Sequence, residues 1–314
     1  MIKHASYLPN IRIENDYFKD IYDDWNSQRF YEQTGVKTRY YASEEETTAT
    51  MGAKALLNLI EKYNIDKNEI DFIVCVTETP DNVLPAAAYK IHKLVELSKN
   101  CGAYDINHGC AGFTYGLMTA CNLVKTNSAK NVILINADKL SPYLDDEDRG
   151  IKVLVGDGAS ACLINEEVAN KVMNFVFGSD SDGYDKIIIK EKESSNYPKS
   201  YLYMDGMDVF YFAINSVPNI IQEILEKNNM ELNNIDMVIL HQANKTILKY
   251  IQKRLKLCDD KFYVNMEDTG NTASVTIPLA IENLNNNNKL QEGMNILLLG
   301  FGVGYSWCGT IIKW

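Results

Sequence analysis

The chain repeats itself, and the repeat constrains its fold more than any other feature. Residues 59–74 read LIEKYNIDKNEIDFIV and residues 224–239 read ILEKNNMELNNIDMVI, aligned without a gap at an offset of 165. Each is the end of an amphipathic helix, a polar turn and an apolar strand. A second pair follows in the same order. Asn131-Val132-Ile133-Leu134-Ile135 matches Asn295-Ile296-Leu297-Leu298-Leu299 at an offset of 164. A period of about half of 314 residues is too long for a solenoid. It predicts two similar α/β halves, residues 1–168 and 169–314, with the boundary near 165–171.

The elements alternate accordingly. Helical periodicity runs over 48–63, 87–99, 209–228 and 246–255. Strand patterns run over 72–77, 132–136, 159–164 and 237–240. The last two strands, 296–300 and 306–312, flank a glycine-rich turn. Runs that are apolar throughout, rather than alternating, predict sheets covered on both faces. Loops are expected at 180–184, 191–199 and 285–288.

Charge narrows the function classes. A net charge of -11 lacks the basic excess of a nucleic-acid-binding chain. No run approaches the ~18 apolar residues of a membrane span, and the first eleven residues lack a signal-peptide apolar region. The seven cysteines form no CxxC pair, which fits free thiols in a reducing cytoplasm. With only His4, His92, His108 and His241, imidazole chemistry has few sources.

One cysteine stands apart. Cys110 lies in Asn107-His108-Gly109-Cys110-Ala111-Gly112, and Leu117, Ala120, Cys121 and Val124 beyond it share a helix face. A thiol in a tight turn opening a buried helix gains thiolate character from the helix N-terminus, and the glycines leave room for a thioester. A buried structural cysteine is the alternative. His241 follows the apolar strand at 237–240, at a carboxyl end where α/β sheets place ligands. Asn271 sits in Thr269-Gly270-Asn271-Thr272, also compatible with an ordinary turn. Gly300-Phe301-Gly302-Val303-Gly304 offers backbone N–H groups to an oxyanion, or is simply a hairpin.

Together these segments resemble the 3-oxoacyl-acyl-carrier-protein synthase III family of condensing enzymes, in the thiolase superfamily. The resemblance runs through nearly the whole chain. It is carried by Cys110-Ala111-Gly112-Phe113-Thr114, Asp148-Arg149-Gly150, Gly156-Asp157-Gly158-Ala159, His241-Gln242-Ala243-Asn244, Gly270-Asn271-Thr272 and the C-terminal glycine cluster. It implies a thiolase-like fold, two α/β halves in five αβαβα layers, and a homodimer. It also implies roles. Cys110 takes an acyl group from acyl-CoA or an acyl-carrier protein. The backbone N–H groups of Cys110 and Val303 hold the oxyanion. His241 and Asn271 bind a malonyl thioester as it loses carbon dioxide. No cofactor is implied beyond these thioester substrates. Asn as third member marks the decarboxylating branch, since thiolases use a second Cys there and hydroxymethylglutaryl-CoA synthases a Glu.

The resemblance places substrate contacts at Leu84, Arg149, Met207, Asn244 and Thr246. Here the chain departs from the family. Gln33-Thr34-Gly35 stands where Arg-Thr-Gly is common, and Trp25 lies four residues too far upstream. Met204-Asp205-Gly206-Met207 replaces Met-Ala-Gly-Asn, Tyr211 replaces a Lys, and Thr246, beside Lys245, replaces an Arg. Leu84 stands where some relatives carry an acyl-limiting Phe, and His108 replaces a small residue near Cys110. These changes predict a specialised relative accepting longer or branched primers, serving secondary metabolism or a surface polysaccharide. Fatty-acid initiation is the ordinary role. A non-decarboxylating acyltransferase and a non-catalytic partner subunit are the rival readings.

Overall fold

A computed structural model describes residues 2–191 and 200–314. Along the first half come β1 (Lys3–Tyr7), a hairpin of β2 (Ile11–Glu14) and β3 (Thr38–Tyr41) enclosing α1 (Ser27–Thr34), then α2 (Thr48–Tyr63) and β4 (Phe72–Thr77). They are followed by α3 (Ala87–Val95), β5 (Gly102–Asn107), α4 (Gly112–Lys125), β6 (Val132–Asp138), the single turn α5 (Arg149–Lys152), β7 (Gly158–Ile164) and α6 (Glu166–Lys171). The second half holds β8 (Val176–Ser179), a hairpin of β9 (Ile187–Glu191) and β10 (Ser200–Met204), α7 (Gly206–Lys227) and β11 (Met237–Leu240). It ends with α8 (Lys245–Leu255), β12 (Phe262–Tyr263), α9 (Thr276–Asn286), β13 (Asn295–Gly302) and β14 (Ser306–Lys313).

Two five-stranded sheets run β1-β7-β6-β4-β5 and β8-β14-β13-β11-β12. They correspond strand for strand, and the repeated segments fall on α2–β4 against α7–β11 and on β6 against β13. The helices α4 and α9 lie between the sheets, because Phe113, Leu117, Ile277 and Ile281 join Val74, Leu134, Ile239 and Leu298 in one core. A second core packs α2 and α3 on the far face of the first sheet, through Leu56, Leu59, Ile91 and Ile135. A third packs α7 and α8 on the far face of the second, through Ile221, Ile224, Leu248 and Leu299. The result is the five-layer thiolase-like arrangement. It explains the uniformly apolar strands: Ile73 and Cys75 of β4 face one core while Val74 and Val76 face the next.

The expected boundaries at 48–63, 72–77 and 237–240 coincide with α2, β4 and β11. The helix expected over 87–99 stops at Val95, because Glu96 turns left-handed at φ 55 and returns its N–H to the His92 carbonyl. The loop expected at 285–288 begins inside α9. Most of the loop expected at 191–199 lies outside the described residues.

A buried cation ties the β2–β3 hairpin to the segment after α5. Arg39 is fully enclosed, donates to the carbonyls of Ile13 and Val153 and to Asn15 Oδ1, and lies 5.0 Å from the Phe18 ring centroid. Truncating it strands three buried acceptors at about 1 kcal/mol or more each. Arg39→Ala is therefore expected to lose about 3 kcal/mol of stability or more. A urea midpoint within error of wild type would refute that.

Candidate active site

The turn between β5 and α4 presents Cys110. Gly112 N–H returns to the Gly109 carbonyl at 2.7 Å, closing the turn on the first residue of the helix. The C-terminal hairpin crosses directly over it. A Cβ on Gly300 would stand 2.6 Å from Ala111 Cα, and one on Gly302 would stand 2.8 Å from Cys110 Sγ. Both glycines are thus required by close approach. The same crossing turns the N–H of Val303, together with that of Cys110 itself, onto the sulfur.

His241 stands at the carboxyl end of β11, beside β13, where its N–H bonds the Leu299 carbonyl at 2.9 Å. Its Nδ1 lies 2.8 Å from Thr276 Oγ1, the first residue of α9. Asn271 is held by a short cross-half pairing. Its N–H donates to the Leu154 carbonyl at 2.9 Å, and its own carbonyl accepts from Gly156 N–H at 3.0 Å. A Cβ on Gly156 would meet the Thr269 carbonyl, and one on Gly270 the Leu154 carbonyl, each at 2.6 Å. This explains why two glycine motifs 114 residues apart recur in one place. Asn271 Oδ1 accepts from Ala273 N–H at 3.0 Å and Nδ2 donates to the Ala243 carbonyl at 3.4 Å, which leaves the second N–H of the amide as the available donor. A further clasp comes from Asp138 at the end of β6. It accepts from Ser274 Oγ at 2.5 Å and from Glu78 N–H at 2.9 Å.

Electrostatics correct one expectation. The helix N-terminus does not win at Cys110. Burial, then the charge of Glu78, raise the thiol above its ordinary value, outweighing the N–H groups of Val303 and Cys110. Burial pushes His241 down to about 3, so the imidazole is neutral throughout the working range. His108 is pushed down to about 4 by burial, its ring stacked on Tyr115 at 4.5 Å.

Just after Trp25, α1 turns back so that Trp25, Gln33 and Thr34 share a cavity of about 450 Å³ that Arg149 also lines. The Arg149 guanidinium pairs with Asp24 and lies 5.6 Å from the Trp25 ring centroid. Arg29, missed in the sequence, lines the same cavity one turn before Gln33. Thr246 donates to the Gln33 carbonyl at 2.6 Å, and Asn244 caps α8 by accepting from Ile247 N–H. Met207 is exposed in the first turn of α7, and Leu84 is 86% exposed on the loop before α3. The single chain does not bring these two to Cys110.

Two family models match the chain, both described as 3-oxoacyl-[acyl-carrier-protein] synthase III: one over residues 104–181, the other, for the C-terminal part, over residues 225–314. The β-ketoacyl-[acyl-carrier-protein] synthase III of Clostridium acetobutylicum is 35% identical, covering 100% of this chain and 98% of its own. That of Campylobacter jejuni is 36% identical over 98% of this chain and 95% of its own. A crystal structure of a 3-oxoacyl-(acyl-carrier-protein) synthase III superposes with a TM-score of 0.95 at 35% identity, covering 100% of this chain and 99% of that one.

Proposed function

Because the chain belongs to the 3-oxoacyl-acyl-carrier-protein synthase III family, we propose that Cys110, His241 and Asn271 divide its reaction between them. The protein is a condensing acyltransferase: it joins an acyl group to a malonyl thioester with loss of carbon dioxide, giving a 3-oxoacyl thioester. Cys110 Sγ attacks the acyl thioester, and the N–H groups of Val303 and Cys110 receive the tetrahedral oxygen. The observation that carries this assignment is that one hairpin both aims Val303 N–H at the sulfur and, through Leu299, anchors His241.

Malonyl decarboxylation follows on the acyl-enzyme. Asn271 donates from Nδ2 and His241 from Nε2 to the thioester oxygen, where enolate charge develops. The Thr276 hydroxyl lies 2.8 Å from His241 Nδ1 and 3.1 Å from the Ala273 carbonyl; in this assignment it gives its proton to Nδ1 as substrate binds, which leaves the ring proton on Nε2, the tautomer the role needs. The halves 1–168 and 169–314 then supply the nucleophile and the two donors respectively.

Acyl-CoA and an acyl-carrier protein are the partners. Arg29 and Arg149, around Trp25, suit a phosphate-bearing CoA, with Arg29 standing in for the cation absent at Gln33. The exposed cations Lys249, Lys253, Arg254 and Lys256 on and just past α8 suit an acidic carrier on an otherwise acidic protein. Homodimerisation is supported by the open edge of β5 and the uncovered Val83 and Leu84. No helix among the described residues is long and apolar enough to cross a membrane.

Carbon dioxide release tests the decarboxylating assignment. Protein loaded from an acyl-CoA is expected to release one carbon dioxide per 3-oxoacyl product when malonyl-carrier protein is added. Acyl transfer to an alcohol or amine without carbon dioxide would refute it.

A further inference from the structure

Glu78 follows β4 directly, and its charge bears on the Cys110 thiol. One oxygen of its carboxyl stands where a Cβ on Gly109 would be, so it lies against the backbone of the residue preceding the nucleophile. The side chain is only partly reached by solvent, and among the described residues its carboxyl makes no hydrogen bond or ion pair. Its backbone N–H donates to Asp138 Oδ1 at 2.9 Å, which anchors the main chain at this position. Nothing in the packing of the two cores needs the carboxyl.

The raised thiol of Cys110 needs a proton acceptor to attack a thioester. His241 is not suited, since its Nε2 must carry a proton to serve as a donor and burial has made it a weak base. His108 is likewise weakened by burial, to about 4. Resting on the assignment of Cys110 as nucleophile, we propose that Glu78 is the proton acceptor for Cys110 during acyl loading. As the Sγ–C bond forms at the acyl carbonyl, the S–H bond breaks and its proton passes to the Glu78 carboxylate. The tetrahedral intermediate then collapses, the bond to the donor sulfur breaks, and the departing CoA thiolate takes that proton from Glu78. Burial and the charge of Asp138 push Glu78 up to about 8, so it is a stronger base than an ordinary carboxylate. The titratable groups that bear on it are Asp138 at the end of β6 and Cys110 before α4, and among the described residues it has no cation as an ion-pair partner.

The test uses whole protein with acetyl-, butyryl-, isobutyryl- and hexanoyl-CoA as donors, with adduct formation followed by intact-protein mass spectrometry. With the fastest donor, wild-type loading should rise with pH and level off above about 8, as the carboxylate form fills. Glu78→Gln should load roughly 10²-fold more slowly at the plateau and lose that inflection. Formate should restore part of the rate to Glu78→Ala, a rescue that a purely structural role would not give. A Glu78→Gln rate and pH profile equal to wild type overturns the proposal. If the variants do not fold, the wild-type profile decides: loading that does not change between about pH 6 and about pH 9 overturns it equally. The Cys110 assignment fails in a different way, by wild-type protein taking no adduct at Cys110 from any of the four donors.

Discussion

Cys110→Ala protein takes up no acyl group and makes no 3-oxoacyl product. The expected loss is at least roughly 10³-fold, because removing the nucleophile of a cooperating set forfeits nearly all that the set contributes. Its packing should survive. Only one atom is deleted, and Gly302 already presses against that side chain. The other cysteines sharpen the readout. Cys75, Cys101, Cys121, Cys162 and Cys308 are buried, and Cys258 is exposed on the surface. Peptide mapping after exposure to the acyl-CoA panel should therefore find the specific adduct at residue 110 alone. An equal adduct in Cys110→Ala would remove that residue from the chemistry.

Asn271→Ala should separate the two half-reactions. Loading of Cys110 persists, while condensation of preloaded enzyme with a malonyl thioester falls by about 10²–10³-fold, the usual effect of deleting one donor to a developing oxyanion. The amide is oriented by Ala273 N–H, so its donor end is set before substrate arrives. The same change unpairs Ala273 N–H, at about 1 kcal/mol of stability. If loading and condensation fall together, Asn271 acts only by shaping the turn. Condensation should also show no inflection near 6.5, since a histidine held down to about 3 stays neutral on either side of that value.

Much of this architecture was legible in the sequence because burial on both faces writes itself plainly. Apolar runs such as 72–77 and 237–240 admit only a covered strand, and their repetition gives away the duplication. Cys110 and Asn271 stood out in the sequence because each adjoins a glycine, and His241 because it directly follows an apolar strand. The short strand β5 was not, since Gly102-Ala103-Tyr104-Asp105 has no clear alternation and lies at a sheet edge. Nor was α9, whose start is masked by Thr276-Ile277-Pro278. The role of Gly156 and Gly270 was hidden, because close approach between segments far apart in sequence leaves no local periodicity. The charge balance at Cys110 was misjudged for the same reason: a helix end is visible in sequence, while Glu78 and the depth of burial are not. Yet Glu78 did leave a trace, an acid placed directly after a buried strand whose first five residues are apolar.

The crossing of the C-terminal hairpin over Cys110 also orders events in time. During synthesis the sulfur is made nearly two hundred residues before Val303, and until that last segment docks it lacks the N–H that the proposed oxyanion site draws from the second half. A nascent or truncated chain thus carries a thiol without the means to use it. Reactivity is the final property the polypeptide acquires, and a molecule that loses its C-terminal hairpin surrenders its chemistry before it surrenders its first sheet.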